Sequence, residues 1–247
     1  FALGIAISTK FLPIFLLIPI ALIYFRREEL LKFVKYSAIV VATFAAINLP
    51  VALTTFDGWW RFYSLNLNRG SDWGSLWYAL TALGVNLANL NYLSILVLLA
   101  AFAAITIYIL ELRNIPSLAS LSFIILAAVM VASKVYSPQY VLWLIPLAVI
   151  ALTDKRDLHA FWIWQGGEII YHIAIWQHLA TVTGAKFGLP VYGYAIATLI
   201  RIAVTIYLIA ILVRRGLATG SQSDGRLGRL SHRSLREFLF DSASAYP

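Results

Sequence analysis

Apolar residues run in long blocks separated by short polar breaks. The first block is Phe1–Phe25, interrupted by Lys10, Pro13 and Pro19, and the second is Tyr36–Thr55, closing near Asn48 and Pro50. A polar, aromatic stretch from Asp57 to about Asn91 follows, then Tyr92–Leu112 and Ile115–Ser133. Tyr140–Leu152 is short, so it forms a partial span or borrows Lys134–Gln139 to lengthen itself. Leu158–Val182 and Pro190–Val213 complete the series. A membrane-crossing helix needs about 20 mostly apolar residues, so the pattern predicts an all-α, polytopic transmembrane bundle of about seven spans.

The polar breaks predict its orientation. Arg26, Arg27, Lys32 and Lys35, then Arg113, then Lys155 and Arg156, then Arg214 and Arg215 occupy alternate breaks. The breaks between them hold Asp57–Asn91, Lys134–Gln139 and Thr183–Leu189. The first set is richer in basic residues, and basic short loops stay in the cytoplasm. This predicts a plasma-membrane, multi-pass protein with a cytoplasmic C-terminus, Phe1 near the outside and an extracytoplasmic long loop. A connection of about 35 residues is long for a compact domain and is more often functional than not. Its Asp57-Gly58-Trp59-Trp60-Arg61-Phe62-Tyr63 segment has an interfacial composition and predicts a short helix along the membrane surface.

Composition agrees with the pattern. Of 247 residues, 61% are hydrophobic and 12% charged, with a mean hydropathy of +0.82. A soluble domain of this size could not hide so much apolar surface. The net charge of +8 sits mainly in the short breaks and the C-terminal part, which argues for topology and against nucleic-acid binding. There is no cysteine, which excludes disulfides and thiolate metal sites. His159, His172, His178 and His232 have no metal-ligand spacing, and no phosphate-binding glycine loop occurs. The chain opens on Phe1 inside an apolar run, without a basic leader, so we expect the C-terminal part of a larger protein. Residues 1–213 form the expected membrane domain. Residues 214–247 form the expected basic cytosolic tail, in which Arg226–Phe240 alternates Arg with Leu and Phe as either an interfacial helix or a disordered segment.

Several stretches carry a family likeness. Ala6-Ile7-Ser8-Thr9-Lys10-Phe11-Leu12-Pro13 resembles the A-x-x-T-K-x-x-P helix of polyprenol-phosphate-sugar-dependent glycosyltransferases of the GT-C class. Within that class the likeness is to glycosyltransferase family 87, the bacterial mannosyltransferase-like membrane proteins. Asp57-Gly58-Trp59-Trp60, Asn68-Arg69-Gly70-Ser71-Asp72-Trp73-Gly74-Ser75-Leu76-Trp77 and Trp164-Gln165-Gly166-Gly167-Glu168 are similar to the same family. Lys134-Val135-Tyr136-Ser137-Pro138-Gln139-Tyr140 is the most specific element. The likeness covers about Ala2–Val213. It implies transfer of a mannose-like or pentose sugar from a polyprenol-phosphate donor to a cell-envelope glycan or glycolipid at the outer face; the residues themselves give no reason to expect a cofactor or a metal. It also implies that the catalytic carboxylate lies upstream of Phe1.

Three basic residues can then serve the donor phosphate: Lys10, Arg69 and Lys134. Lys10 precedes Arg26 by 16 residues, so one continuous helix would set it about 24 Å from the cytoplasmic end. That depth is near the outer boundary of a ~30 Å core, where a lipid phosphate sits. Cations there hold the phosphate and stabilise it as a leaving group. The plainer alternatives are snorkelling for Lys10, a flanking charge for Lys134 and a solvated loop residue for Arg69. Asn68, Asp72, Trp73, Tyr136, Ser137 and Gln139 are candidates for sugar or substrate binding. Asp72 is a weak candidate for a catalytic base and a better one for binding hydroxyls. Asp57 reads as a turn or helix N-cap. Glu168 and Arg201 both fall near the middle of antiparallel helices, so a paired contact is the economical reading, with His172 one turn from Glu168. That trio forms either a structural polar network or, in a transporter or flippase, a proton relay.

Overall fold

A computed structural model describes residues 1–222, without the side chains of 156 and 219–222. Arg226–Phe240 therefore lies outside the described residues. Ten α-helices and three short 3-10 turns make up the described fold, and no strand occurs among these residues. The helices are α1 (Ala2–Thr9), α2 (Leu17–Arg26), α3 (Leu30–Thr54), α4 (Phe56–Asn68) and α5 (Leu76–Ala82), then α6 (Leu90–Glu111), α7 (Leu118–Ala132), α8 (Val141–Ala151), α9 (Leu158–Val182) and α10 (Val191–Gln222). By length and apolar composition α3, α6 and α10 (over Val191–Ala218) can each cross a membrane, and the chain is a membrane protein on that ground.

The bundle has two ends. At one, Arg26 donates to the carbonyls of Ile109 (2.8 Å), Leu110 (2.8 Å) and Leu112 (2.6 Å), satisfying the last turn of α6. Arg215 pairs with Asp157 at this end, and the Tyr108 hydroxyl donates to the carbonyl of Val213. We call it the basic end. The other, the loop end, gathers Lys10, α4, α5 and the 133–140 connection. Between the ends α7 is the central helix: it is apolar on all sides, and ten of its fifteen residues are buried. Phe123 meets Trp164 of α9 edge-on at 5.5 Å, and Leu144 of α8 and Leu208 of α10 are fully buried in the same core. Outward faces of α3 and α6 stay apolar and exposed, among them Val41, Leu49, Leu96 and Leu99, as helices facing lipid do.

Phe1–Phe25 is not one helix. Lys10 is extended (φ −154°, ψ 125°), and the chain continues through a 3-10 turn, Leu12–Leu16, that begins next to Pro13. Proline has no N–H to continue a helix and biases its neighbour away from helical geometry. The result is a reversal. A Cβ on Gly4 would lie 2.6 Å from Thr43 Cβ, and Asn48 Nδ2 donates to Ser8 Oγ at 3.0 Å. So α1 runs parallel to α3, and α2 then returns antiparallel. The expected position of Phe1 at the outer boundary is corrected: the α1 start lies beside Val40, about 15 Å along α3.

Two further expectations change. Helix α10 does not stop at Val213 but continues to Gln222, because Arg214, Arg215 and Leu217 are good helix formers and Arg215 finds Asp157. The 57–91 connection is largely helical. It supplies α4, with its aromatic side, and α5, whose Trp77 and Ala79 are buried in the bundle. Thr55, not Asp57, occupies the cap position of α4, and Asp57 sits in its first turn.

Candidate functional site

Lys10, Arg69 and Lys134 all line one cavity of about 510 Å³ at the loop end. Its walls are otherwise mainly apolar and aromatic: Phe11 and Phe15 from the reversal, Trp60 and Tyr63 from α4, Leu98 from α6, and Tyr140 with Trp143 from the α8 entry. Each cation reaches it for a different local reason. Lys10 is carried by the reversal after α1. Arg69 follows the last residue of α4, and Lys134 lies two residues beyond α7.

Their partners differ as well. The Lys10 ammonium lies 4.1 Å from the Trp143 ring centroid and 4.8 Å from that of Tyr140, and those two rings stack at 4.7 Å. No oxygen bonds to it among the described residues. Arg69 pairs with Asp72. Lys134 donates to the carbonyls of Arg69 (2.8 Å), Asn66 (3.2 Å) and Leu67 (3.3 Å), and to Oδ1 of Asn91. An ammonium has three donors, so this one is fully occupied by the C-terminal turn of α4, where a cation also suits the helix dipole. Burial and the neighbouring Arg69 push the Lys134 ammonium below the usual lysine range. Of the three expected phosphate ligands, Lys10 alone faces the cavity without an oxygen partner; Lys134 instead fastens α4.

The expected sugar-binding residues separate. Asp72, Trp73 and Ser137 line a smaller cleft of about 230 Å³, which they share with Trp176 and Leu179 of α9. Asn68 and Gln139 are exposed and line neither space. Tyr136 does not face a cavity: it is fully buried, its ring 3.5 Å from the Arg201 guanidinium carbon.

That contact belongs to a buried cluster between α9 and α10. Arg201 Nε donates to Glu168 Oε1 (3.1 Å) and Oε2 (2.9 Å). Its Nη1 donates to the carbonyl of Tyr136 (2.6 Å) and its Nη2 to that of Ser137 (3.3 Å). Tyr136 donates to Glu168 Oε1 at 3.4 Å. His172 sits at the edge, its Nδ1 2.7 Å from the carbonyl of Glu168. The cluster thus grips the backbone of the 134–140 loop. The 69–75 loop joins it: the Asp72 amide donates to the carbonyl of Lys134 at 2.8 Å. Gly74, at φ +79°, lies against the Tyr136 carbonyl and the Tyr171 hydroxyl, leaving no room for a Cβ. Sequence reasoning missed Trp143 and Trp176; tryptophans at span ends read as interfacial anchors.

Among the described residues no group of His, Asp and Glu is placed to hold a metal ion. The chain was compared with protein-family models, curated proteins and solved structures, and it matches none of them.

Proposed function

We propose that the chain is the lipid-phosphate-binding part of a membrane glycosyltransferase of GT-C type. On this reading a polyprenol-phosphate sugar enters the large cavity from the bilayer, and the sugar passes to a cell-envelope glycan or glycolipid acceptor. Lys10 is the observation that carries it. An ammonium without an oxygen partner faces a cavity whose walls are mainly apolar and aromatic, which suits a ligand with one anionic group and a greasy chain. Arg69 supplies a second cation at the wall, and stabilisation of a leaving phosphate needs such fixed charges. The sugar chemistry itself comes from the resemblance of the Thr9-Lys10-Phe11-Leu12-Pro13 and Lys134–Tyr140 elements. The base that would deprotonate the acceptor is assigned to no residue here.

The same reading takes seven spans: α2 with its leading 3-10 turn, α3, α6, α7, α8 with its leading turn, α9 and α10. Arg26, Arg27, Arg113, Arg214 and Arg215 then mark the basic end as cytoplasmic, and the loop end faces outward. The rival reading is a transporter or flippase with Glu168, His172 and Arg201 as its working groups. Less supports it, since Glu168 and Arg201 are 2% and 0% exposed and committed to each other and to loop carbonyls.

The test is sugar transfer by the protein in liposomes with Lys10→Ala and Lys10→Arg. Loss of transfer in the alanine variant, with thermal stability unchanged and partial rescue by arginine, is expected. Unaltered transfer in Lys10→Ala sinks the proposal.

A further inference from the structure

The two spaces at the loop end share no lining residue, yet one ion pair spans them. Arg69 belongs to the wall of the large cavity and its partner Asp72 to the wall of the smaller cleft. We propose that the smaller cleft is a saccharide-binding subsite in which Trp176 is the stacking surface and Asp72 and Ser137 bind hydroxyls. This rests on the glycosyltransferase reading, which gives the cleft a reason to hold sugar, and it extends that reading to a separate place and a residue on a different helix.

The chemistry of the walls fits that ligand class. A pyranose or furanose ring has an apolar C–H face and a rim of hydroxyls, and indole rings cover such faces while charged and hydroxylic side chains take the rim. Trp73 and Trp176 supply two indoles to the lining, one from the 69–75 loop and one from α9. Asp72 already accepts from the Trp73 amide at Oδ1 (2.7 Å) and from Arg69 at Oδ2. Each carboxylate oxygen has a second lone pair, so both can still accept from a hydroxyl. Ser137 adds a hydroxyl that can donate or accept. These groups are held still: the Asp72 amide is tied to Lys134 and the Ser137 carbonyl to Arg201, so little ordering entropy is lost on binding. Trp176 is 68% exposed, so most of its surface is free of contact with the rest of the chain. No Lys or Arg lines this cleft, so a phosphate finds no cation in its wall, which keeps the two ligands in separate places.

The experiment uses the whole chain in nanodiscs and two probes. Methyl glycosides of mannose and arabinose are followed by saturation-transfer NMR; farnesyl phosphate is followed by calorimetry. Saturation transfer to a glycoside is expected in the wild type, and Trp176→Ala and Ser137→Ala should weaken glycoside binding about tenfold while leaving farnesyl phosphate binding unchanged. In transfer assays, a raised KM for the acceptor in Trp176→Ala identifies the acceptor's saccharide, and a raised KM for the donor identifies the donor's. The subsite is overturned if no glycoside binds, or if both variants bind it like the wild type, as a tryptophan that only anchors the helix in the interface would. Lys10→Ala separates the readings. It should abolish farnesyl phosphate binding and spare the glycoside; farnesyl phosphate binding that survives it sinks the lipid-phosphate reading alone.

Discussion

Arg201 of α10 binds both carboxylate oxygens of Glu168 on α9 and, with its remaining nitrogens, the carbonyls of Tyr136 and Ser137. One fully buried guanidinium therefore joins two helices and a loop. A buried ion pair seldom adds net stability over apolar packing, but breaking one member is costly because the other charge stays uncompensated.

Glu168→Gln should accordingly destabilise the protein by about 3–5 kcal/mol, read as a lower denaturation midpoint in detergent. Arg201→Met should cost at least as much, since it also strips two loop carbonyls of their donors. Replacing both residues with Met should recover only part of the loss, because those carbonyls remain unsatisfied. Full recovery would show that the loop contacts contribute nothing.

Gly74→Ala tests the seam between the two loops. The positive φ alone costs an L-residue about 1–3 kcal/mol, and the new methyl would also strike the Tyr136 carbonyl and the Tyr171 hydroxyl. We expect a lower melting temperature and faster amide exchange at Asp72, whose N–H is bonded to Lys134 across that seam. Wild-type exchange at Asp72 would mean the loops are not coupled.

Lys134→Ala should act on α4. Removing the ammonium takes the side-chain donor from the carbonyls of Asn66 and Arg69, while Leu67 keeps the Asn91 amide; water reaches the exposed positions, so the loss is about 1 kcal/mol. Hydrogen exchange should rise over the last turn of α4 and stay unchanged over α9. A variant that loses lipid-phosphate binding without disturbing α4 would return Lys134 to the role of phosphate ligand.

The elements differ in how far sequence could reveal them. Leu158–Val182 is a helix with the same limits as its apolar block, because polar residues at both sides leave only one way to end it. The aromatic segment at 57–63 likewise falls within a helix. Counting residues from the ends of two antiparallel helices sets Glu168 opposite Arg201. It cannot reveal that Arg201 also holds Tyr136 and Ser137, since a backbone carbonyl leaves no trace in side-chain identity. The same blindness hid the role of Lys134, whose partners are three carbonyls and one amide oxygen. The reversal at Lys10 was hidden for another reason. Apolar residues continue on both sides of it, and Pro13 marks a break without saying which way the chain turns; the extended Lys10 and the 3-10 turn after it make two opposed segments of one apolar block.

Helix α4 covers the large cavity, and it is fastened at both of its ends. Near its start, Trp59 donates to Asn48 on α3, which donates in turn to Ser8 on α1; at its finish, Lys134 holds the last carbonyls. A beam resting on two supports does not swing like a flap. On the glycosyltransferase reading proposed above, a long-chain ligand would then have to reach the cavity without α4 lifting away.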